Sequence, residues 1–138
     1  MKDGPKTIKY GRCFRLKLTN DIKLKYLNLN IYKFGFKAVE YGWLNNVQIT
    51  SIMRLLKIII KKKFKIKLNC SLIIPITLKP LETRMGSGKG ERKLWKCPIK
   101  KGMIIFEFFY LNEDEIDYIF KIIKNRLPFL IKKVKILY

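Results

Sequence analysis

Between Ile31 and Glu40 the stretch IYKFGFKAVE alternates apolar and polar side chains, which predicts a strand. Gly35 inside it marks a bulge or a close approach of another backbone. The period then changes. In NNVQITSIMRLLKIIIKKKF, residues Ile49, Ile52, Met53, Leu56, Ile59 and Ile60 recur at helical spacing and are expected to face the core. Asn45 with Gln48 three residues on has the form of a capping box, which gives orphan N–H donors at a helix start their acceptors. FKIKL, from Phe64 to Leu68, reads as a strand with a basic outer face. SLIIPITL reads as another, restricted to an edge or a bulge because Pro75 cannot donate to a ladder. Leu94 to Ile99 and Met103 to Tyr110 are expected as two strands joined through KKG at Gly102.

A second helix follows, with Asn112 and Glu115 repeating the cap pattern. Ile116, Ile119, Phe120 and Ile123 form its buried stripe, with Leu127 one turn further. Glu113, Asp114, Glu115 and Asp117 at its start, and Lys121, Lys124 and Arg126 near its end, match the helix dipole. Those acids are explained by helix electrostatics, not by catalysis. Pro128 stops the helix, and LIKKVKILY is expected to return as a final strand. Two helices packed with a mixed or antiparallel sheet make an α+β domain. The expected organisation is a basic N-terminal arm over residues 1–30 and one α+β domain over residues 31–138, with neither a linker nor an internal repeat.

Charge changes this picture most. The 138 residues carry 31 Lys and Arg against 10 Asp and Glu, a net charge of +21, with 49% hydrophobic residues that can build a core. A compact domain so charged repels itself and needs an anionic partner, nucleic acid first and an anionic membrane second. Crossing a bilayer takes about 20 apolar residues, and the runs here are short, such as Leu72 to Leu78. The opening residues MKDGP contain no signal-type apolar core and no Arg- and Ser-rich presequence, so the chain is expected either to act where it is made or to have lost a presequence, which the initial Met disfavours. In the arm, PKTIKYGRCFRLKL interleaves Lys6, Lys9, Arg12, Arg15 and Lys17 with Tyr10 and Phe14, cations beside rings able to stack on bases. A floppy terminus is the plainer alternative. On the first helix Thr50, Arg54, Lys57 and Lys61 share the outer face. Every charged member is cationic with no acid to pair at i+4, which favours phosphate contact over a merely solvated face.

Histidine is absent, and Cys13, Cys70 and Cys97 stand far apart without a C-x-x-C pair. That excludes imidazole triads and argues against clustered Cys/His metal sites, leaving the cysteines as buried small hydrophobes. The chemistry-bearing stretch is KPLETRMGSGKG, residues 79–90. A phosphate-binding P-loop would need glycine where Thr83 stands and Ser or Thr where Gly90 stands; a dinucleotide G-x-G-x-x-G would need glycine at Glu91. Both patterns fail, and strands rather than a strand and a helix flank the stretch. What remains is a long connection carrying Lys79, Arg84, Lys89, Arg92 and Lys93, whose glycines let the backbone turn and present N–H groups. On composition alone a mobile surface loop stays open, and so does an enzyme using the loop for a phosphorylated ligand, with only Glu82 and Glu91 as nearby acids.

KPLETRMGSGKG resembles the signature loop K-P-x-E-x-R-M-G-x-G-K-G of the large-subunit ribosomal protein family L-sixteen. FGFKAVEYGWLNNVQITSIMRLLKIIIKK is similar to the family's F-G-x-x-A…L-x-x-x-Q-I-x-x-x-R segment, and PITLKP to its P-x-T-x-K-P approach. LWKCPIKKGMIIFEF resembles its W-x-x-x-x-K-x-G-x-x-x-F-E strand pair, NRLPF its K-L-P helix ending and, more weakly, PKTIKY its basic opening. The resemblance implies an α/β-hammerhead domain bound to large-subunit rRNA near the peptidyl-transferase centre and the A-site tRNA. It further implies neighbouring large-subunit proteins, no catalysis, no cofactor or metal, no membrane and no homo-oligomer. Arg84, Gly86, Gly88, Lys89 and Gly90 match the loop motif residue by residue, with Met85 and Ser87 between them, and Arg54 falls at the family's helix arginine. The expected rRNA and tRNA contacts are therefore Lys6, Lys9 and Arg12 of the arm, Arg54, Lys57 and Lys61 of the helix, and Lys79, Arg84 to Gly90 and Arg92 of the loop. Residues 13–30 depart from the family pattern, as does CSLII before the P-x-T motif. Six Arg against twenty-five Lys leave fewer bidentate phosphate contacts than an Arg-rich relative would make. A single alanine (Ala38) beside abundant Lys, Ile, Asn, Phe and Tyr suggests an A+T-rich genome, hence an organelle, expected to be a mitochondrion with a plastid as the alternative.

Overall fold

A computed structural model of the chain describes residues 29, 34–60, 65–109 and 111–135. Apart from Leu29, the arm lies outside the described residues. The elements run β1 (Phe34–Ala38), β2 (Gly42–Asn45), α1 (Asn46–Ile60), β3 (Ile66–Leu68), β4 (Ile74–Leu78), β5 (Glu91–Ile99), β6 (Ile104–Phe108), α2 (Glu113–Lys124) and β7 (Ile131–Lys135). The fold is α+β. Where one sheet was expected there are two, both antiparallel: four strands in the order β3-β6-β1-β7 and three in the order β2-β5-β4.

The split happens at Gly102, whose φ of 88° is open to glycine at little cost. Its N–H donates to the Ala38 carbonyl at 2.8 Å, and the Ala38 N–H donates to the Met103 carbonyl at 2.8 Å. The chain leaving β5 is thus captured by the end of β1. Consequently β5 and β6, expected as a strand pair, are consecutive but lie in different sheets. Pro75 sits where a proline is tolerated, on the edge strand β4, with a register shift between Ile76 and Thr77 beside it. The strand β2 was not anticipated; its Leu44 is buried and pairs in register with Cys97.

Both helices bury the expected stripes. Ile49, Ile52, Leu56 and Ile60 of α1 are buried, with Met53 and Ile59 packed against them. Only half of its capping box forms: the Asn45 N–H donates to Gln48 Oε1 at 3.0 Å, while Asn45 Oδ1 is buried without a partner among the described residues. In α2 the Asn112 N–H donates to Glu115 Oε2 at 3.1 Å, and Ile116, Ile119 and Ile123 are buried. The acids of its first turns do more than match the dipole. Glu113 and Asp117 accept from Lys135 and Lys133 of β7 and fasten the helix to that strand. Phe36 lies at the centre of the core, its ring 4.8 Å from Phe108 and 5.4 Å, edge-on, from Phe120. Glu107 is fully buried, accepts from Asn69 Nδ2, and lies 3.6 Å from Lys67 Nζ. Lys67, expected on an outer basic face, is half-buried because it reaches that carboxylate.

Candidate nucleic-acid interface

Pairing of Thr77 with Arg92 and of Leu78 with Glu91 extends the β4–β5 ladder beyond the expected start of β5. Arg92 and Lys93, expected on the connection, are strand residues, and the loop itself is residues 79–90. Gly90 sets its root. A Cβ there would stand 2.6 Å from the Leu78 carbonyl oxygen and 2.8 Å from the carbonyl carbon, so only glycine lets the two strand ends close up. Further out, the Thr83 N–H donates to the Pro80 carbonyl at 3.1 Å, making a turn. Lys79 Nζ donates to the Gly86 carbonyl and ties the two sides of the loop together. The sequence offered Lys79 as a phosphate ligand; its ammonium is directed into the loop.

At the tip, Gly86, Ser87 and Gly88 have φ of 97°, 55° and 72°. Three successive residues are left-handed, and for Ser87 that conformation costs about 1–2 kcal/mol. Nothing lies within 4 Å of a Cβ built on Gly86 or Gly88, so conformation rather than crowding demands glycine there. The N–H groups of residues 84–88 donate no hydrogen bond among the described residues. Arg84, Met85, Ser87 and Lys89 are exposed around them. The tip is a cationic surface with free backbone donors, suited to anionic oxygens.

Arg92, exposed on the strand, lies over the buried Trp95, its guanidinium carbon 4.9 Å from the ring centroid. On α1, Arg54 and Lys57 are exposed as expected, whereas the Thr50 hydroxyl donates to the Asn46 carbonyl at 2.8 Å and is already used. Exposed Val47 and Ile58 flank Arg54 on that helix at seven- and four-residue spacing. Both lie off the buried stripe of Ile49, Ile52, Leu56 and Ile60, which their positions in the sequence already show. Since α1 follows β2 and packs on β2 and β5, the helix and the loop are both carried by the three-stranded sheet. Lys6, Lys9, Arg12 and Lys61 lie outside the described residues.

Cys70 and Cys97 are free and buried, and the Cys97 thiol donates to the Pro98 carbonyl at 3.6 Å. Hydrogen bonding to Cys97, together with burial, pushes the Cys70 thiol up. Hydrogen bonding from Cys70 holds the Cys97 thiol down against the effect of burial. Among the described residues no group of three or more His, Cys, Asp or Glu could hold a metal, and no helix is long and apolar enough to cross a membrane.

The family model for ribosomal protein L16p/L10e matches residues 5–134. The match takes in residues 5–30, expected as a basic arm, and with them the segment 13–30 that departs from the expected pattern. The chain is similar to large ribosomal subunit protein uL16c of Euglena longa, 37% identical over 134 residues, 97% of this chain and 96% of that one. It is also similar to large ribosomal subunit protein uL16 of Wigglesworthia glossinidia brevipalpis, 40% identical over 100 residues, 72% of this chain and 74% of the relative. The uL16 of Phytoplasma mali (strain AT) is 35% identical over 134 residues, 95% of this chain and 94% of that protein.

Proposed function

The chain belongs to the ribosomal protein L16p/L10e family, and from that premise we propose that it binds large-subunit rRNA as a structural protein of the large ribosomal subunit. Family membership makes it a structural component and not an enzyme. The observation that carries the rRNA reading is the loop tip: three left-handed residues, N–H groups over 84–88 that find no acceptor among the described residues, and exposed Arg84 and Lys89. Phosphate oxygens accept from those donors, and each neutralised phosphate releases a counterion. Arg54 and Lys57 of α1 add a second line of contact, Lys6, Lys9, Arg12 and Lys61 extend it, and Arg92 reaches the backbone from the loop root. The bound loop positions RNA beside the A-site tRNA and the peptidyl-transferase centre, with other large-subunit proteins around it; it performs no chemistry.

Co-sedimentation tests this reading. The tagged chain should run with large subunits at moderate salt, and recovery free of subunits would sink it. The ribosome is that of an organelle. Composition motivates the mitochondrial assignment, and the 37% identity to a uL16c favours a plastid as the second reading. Probing purified organelle fractions for the chain separates the two.

A further inference from the structure

Two large apolar side chains stand fully in solvent on the loop, Leu81 at 105% and Met85 at 103% of their reference exposure. Single exposed hydrophobics are ordinary; these two share one short loop with the exposed cations Arg84 and Lys89, so apolar and cationic contacts are offered from the same segment. Neither hangs from a loose chain. The Lys79 ammonium on the Gly86 carbonyl closes residues 79–86, and the Pro80–Thr83 turn sits within that closure, so both side chains project from one tied segment. Arg84 lies between them in sequence and Lys89 follows. We propose that Leu81 and Met85 are apolar anchors that pack against unstacked nucleobases of large-subunit rRNA. This rests on the rRNA-binding reading above. It assigns the loop two separate contacts, cations and N–H groups on phosphates, aliphatic side chains on base faces. Base faces are the large apolar surfaces that such a polyanion offers, and Leu and Met are among the side chains that wedge between bases. Lacking hydrogen-bonding groups, these two select for an accessible base rather than for its identity.

The test uses the full chain and a transcript of its large-subunit rRNA, with binding measured across a salt series and base accessibility read by dimethyl sulfate. Leu81→Ser/Met85→Ser is compared with Arg84→Ala/Lys89→Ala. For the apolar pair the expected result is a loss of about tenfold or more per side chain. That loss comes with an unchanged salt slope and loss of protection at one or two bases. For the cationic pair the slope should fall by about 0.7 to 0.9 per lost phosphate contact. Wild-type affinity and protections in the apolar variant, with the cationic variant weakened, overturn the anchors and leave the rRNA reading standing. Wild-type behaviour of both variants overturns both. An apolar variant that binds naked rRNA normally but sheds a neighbouring protein from assembled subunits also overturns the proposal, because the occupant is then a protein.

Discussion

Gly90→Ala is the sharpest perturbation of the loop, because its effect follows from a steric clash with fixed backbone. The new Cβ would sit 2.6 Å from the Leu78 carbonyl oxygen, 2.8 Å from its carbon and 2.9 Å from Lys79 Cγ. Lys79 can swing aside; the Leu78 backbone cannot, because Leu78 pairs with Glu91 at the end of the β4–β5 ladder. The φ of Gly90 is not positive, so no backbone strain is added. Relief therefore requires the last rungs of the ladder to spread by several tenths of an ångström. Overpacking of this kind costs about 1–3 kcal/mol. Loss of glycine freedom in the unfolded chain offsets about 0.4–1 kcal/mol of that. A net loss of about 1–2 kcal/mol corresponds to a fall in Tm of roughly 3–8 °C for a chain of this length. Thermal unfolding by circular dichroism measures the fall, and amide exchange at Arg92 reports whether it begins at the loop root. An unchanged Tm together with wild-type protection at Arg92 would refute the reasoning.

Arg84→Ala and Lys89→Ala should each weaken rRNA binding and lower the salt slope by about 0.7–0.9 per phosphate lost, with Tm unchanged; loss of the circular-dichroism signal would contradict that division of labour. Lys79→Met should lower affinity by opening the loop while changing the slope by clearly less than one phosphate, since the ammonium is bound to the Gly86 carbonyl; a full unit of slope would mark it as a phosphate ligand. Asn69→Ala removes the amide that Glu107 accepts from and leaves the buried carboxylate to Lys67 alone, at a cost of about 1–3 kcal/mol in chemical denaturation, whereas Glu107→Gln, which keeps the acceptor oxygen, should cost less.

Local periodicity carried the fold where one element explained itself. The α2 cap at Asn112 and Glu115, its stripe from Ile116 to Ile123, and the edge position of Pro75 all follow from residues within a few positions of each other. What escaped depends on partners distant in sequence. The strand β2 is four residues running straight into α1, so Gly42–Asn45 looks like a helix lead-in until Leu44 meets Cys97 of β5. The two sheets separate because Gly102 hydrogen-bonds Ala38, more than sixty positions earlier. At the interface, the motif named the loop but not the division of work inside it. Gly86 and Gly88 serve backbone conformation, Gly90 serves close approach, and Lys79 serves closure. Residue types alone do not separate these roles, since all three glycines look alike on the page and every lysine looks like a phosphate ligand.

The most direct test of the central claim is a density map of the large subunit isolated from the source organism. Residues 79–90 should lie against rRNA, with Arg84 and Lys89 within hydrogen-bond distance of phosphate oxygens and the N–H groups of residues 86–88 facing them. A map in which this loop projects into solvent or packs only on protein, or in which the chain is missing from the subunit, would contradict it.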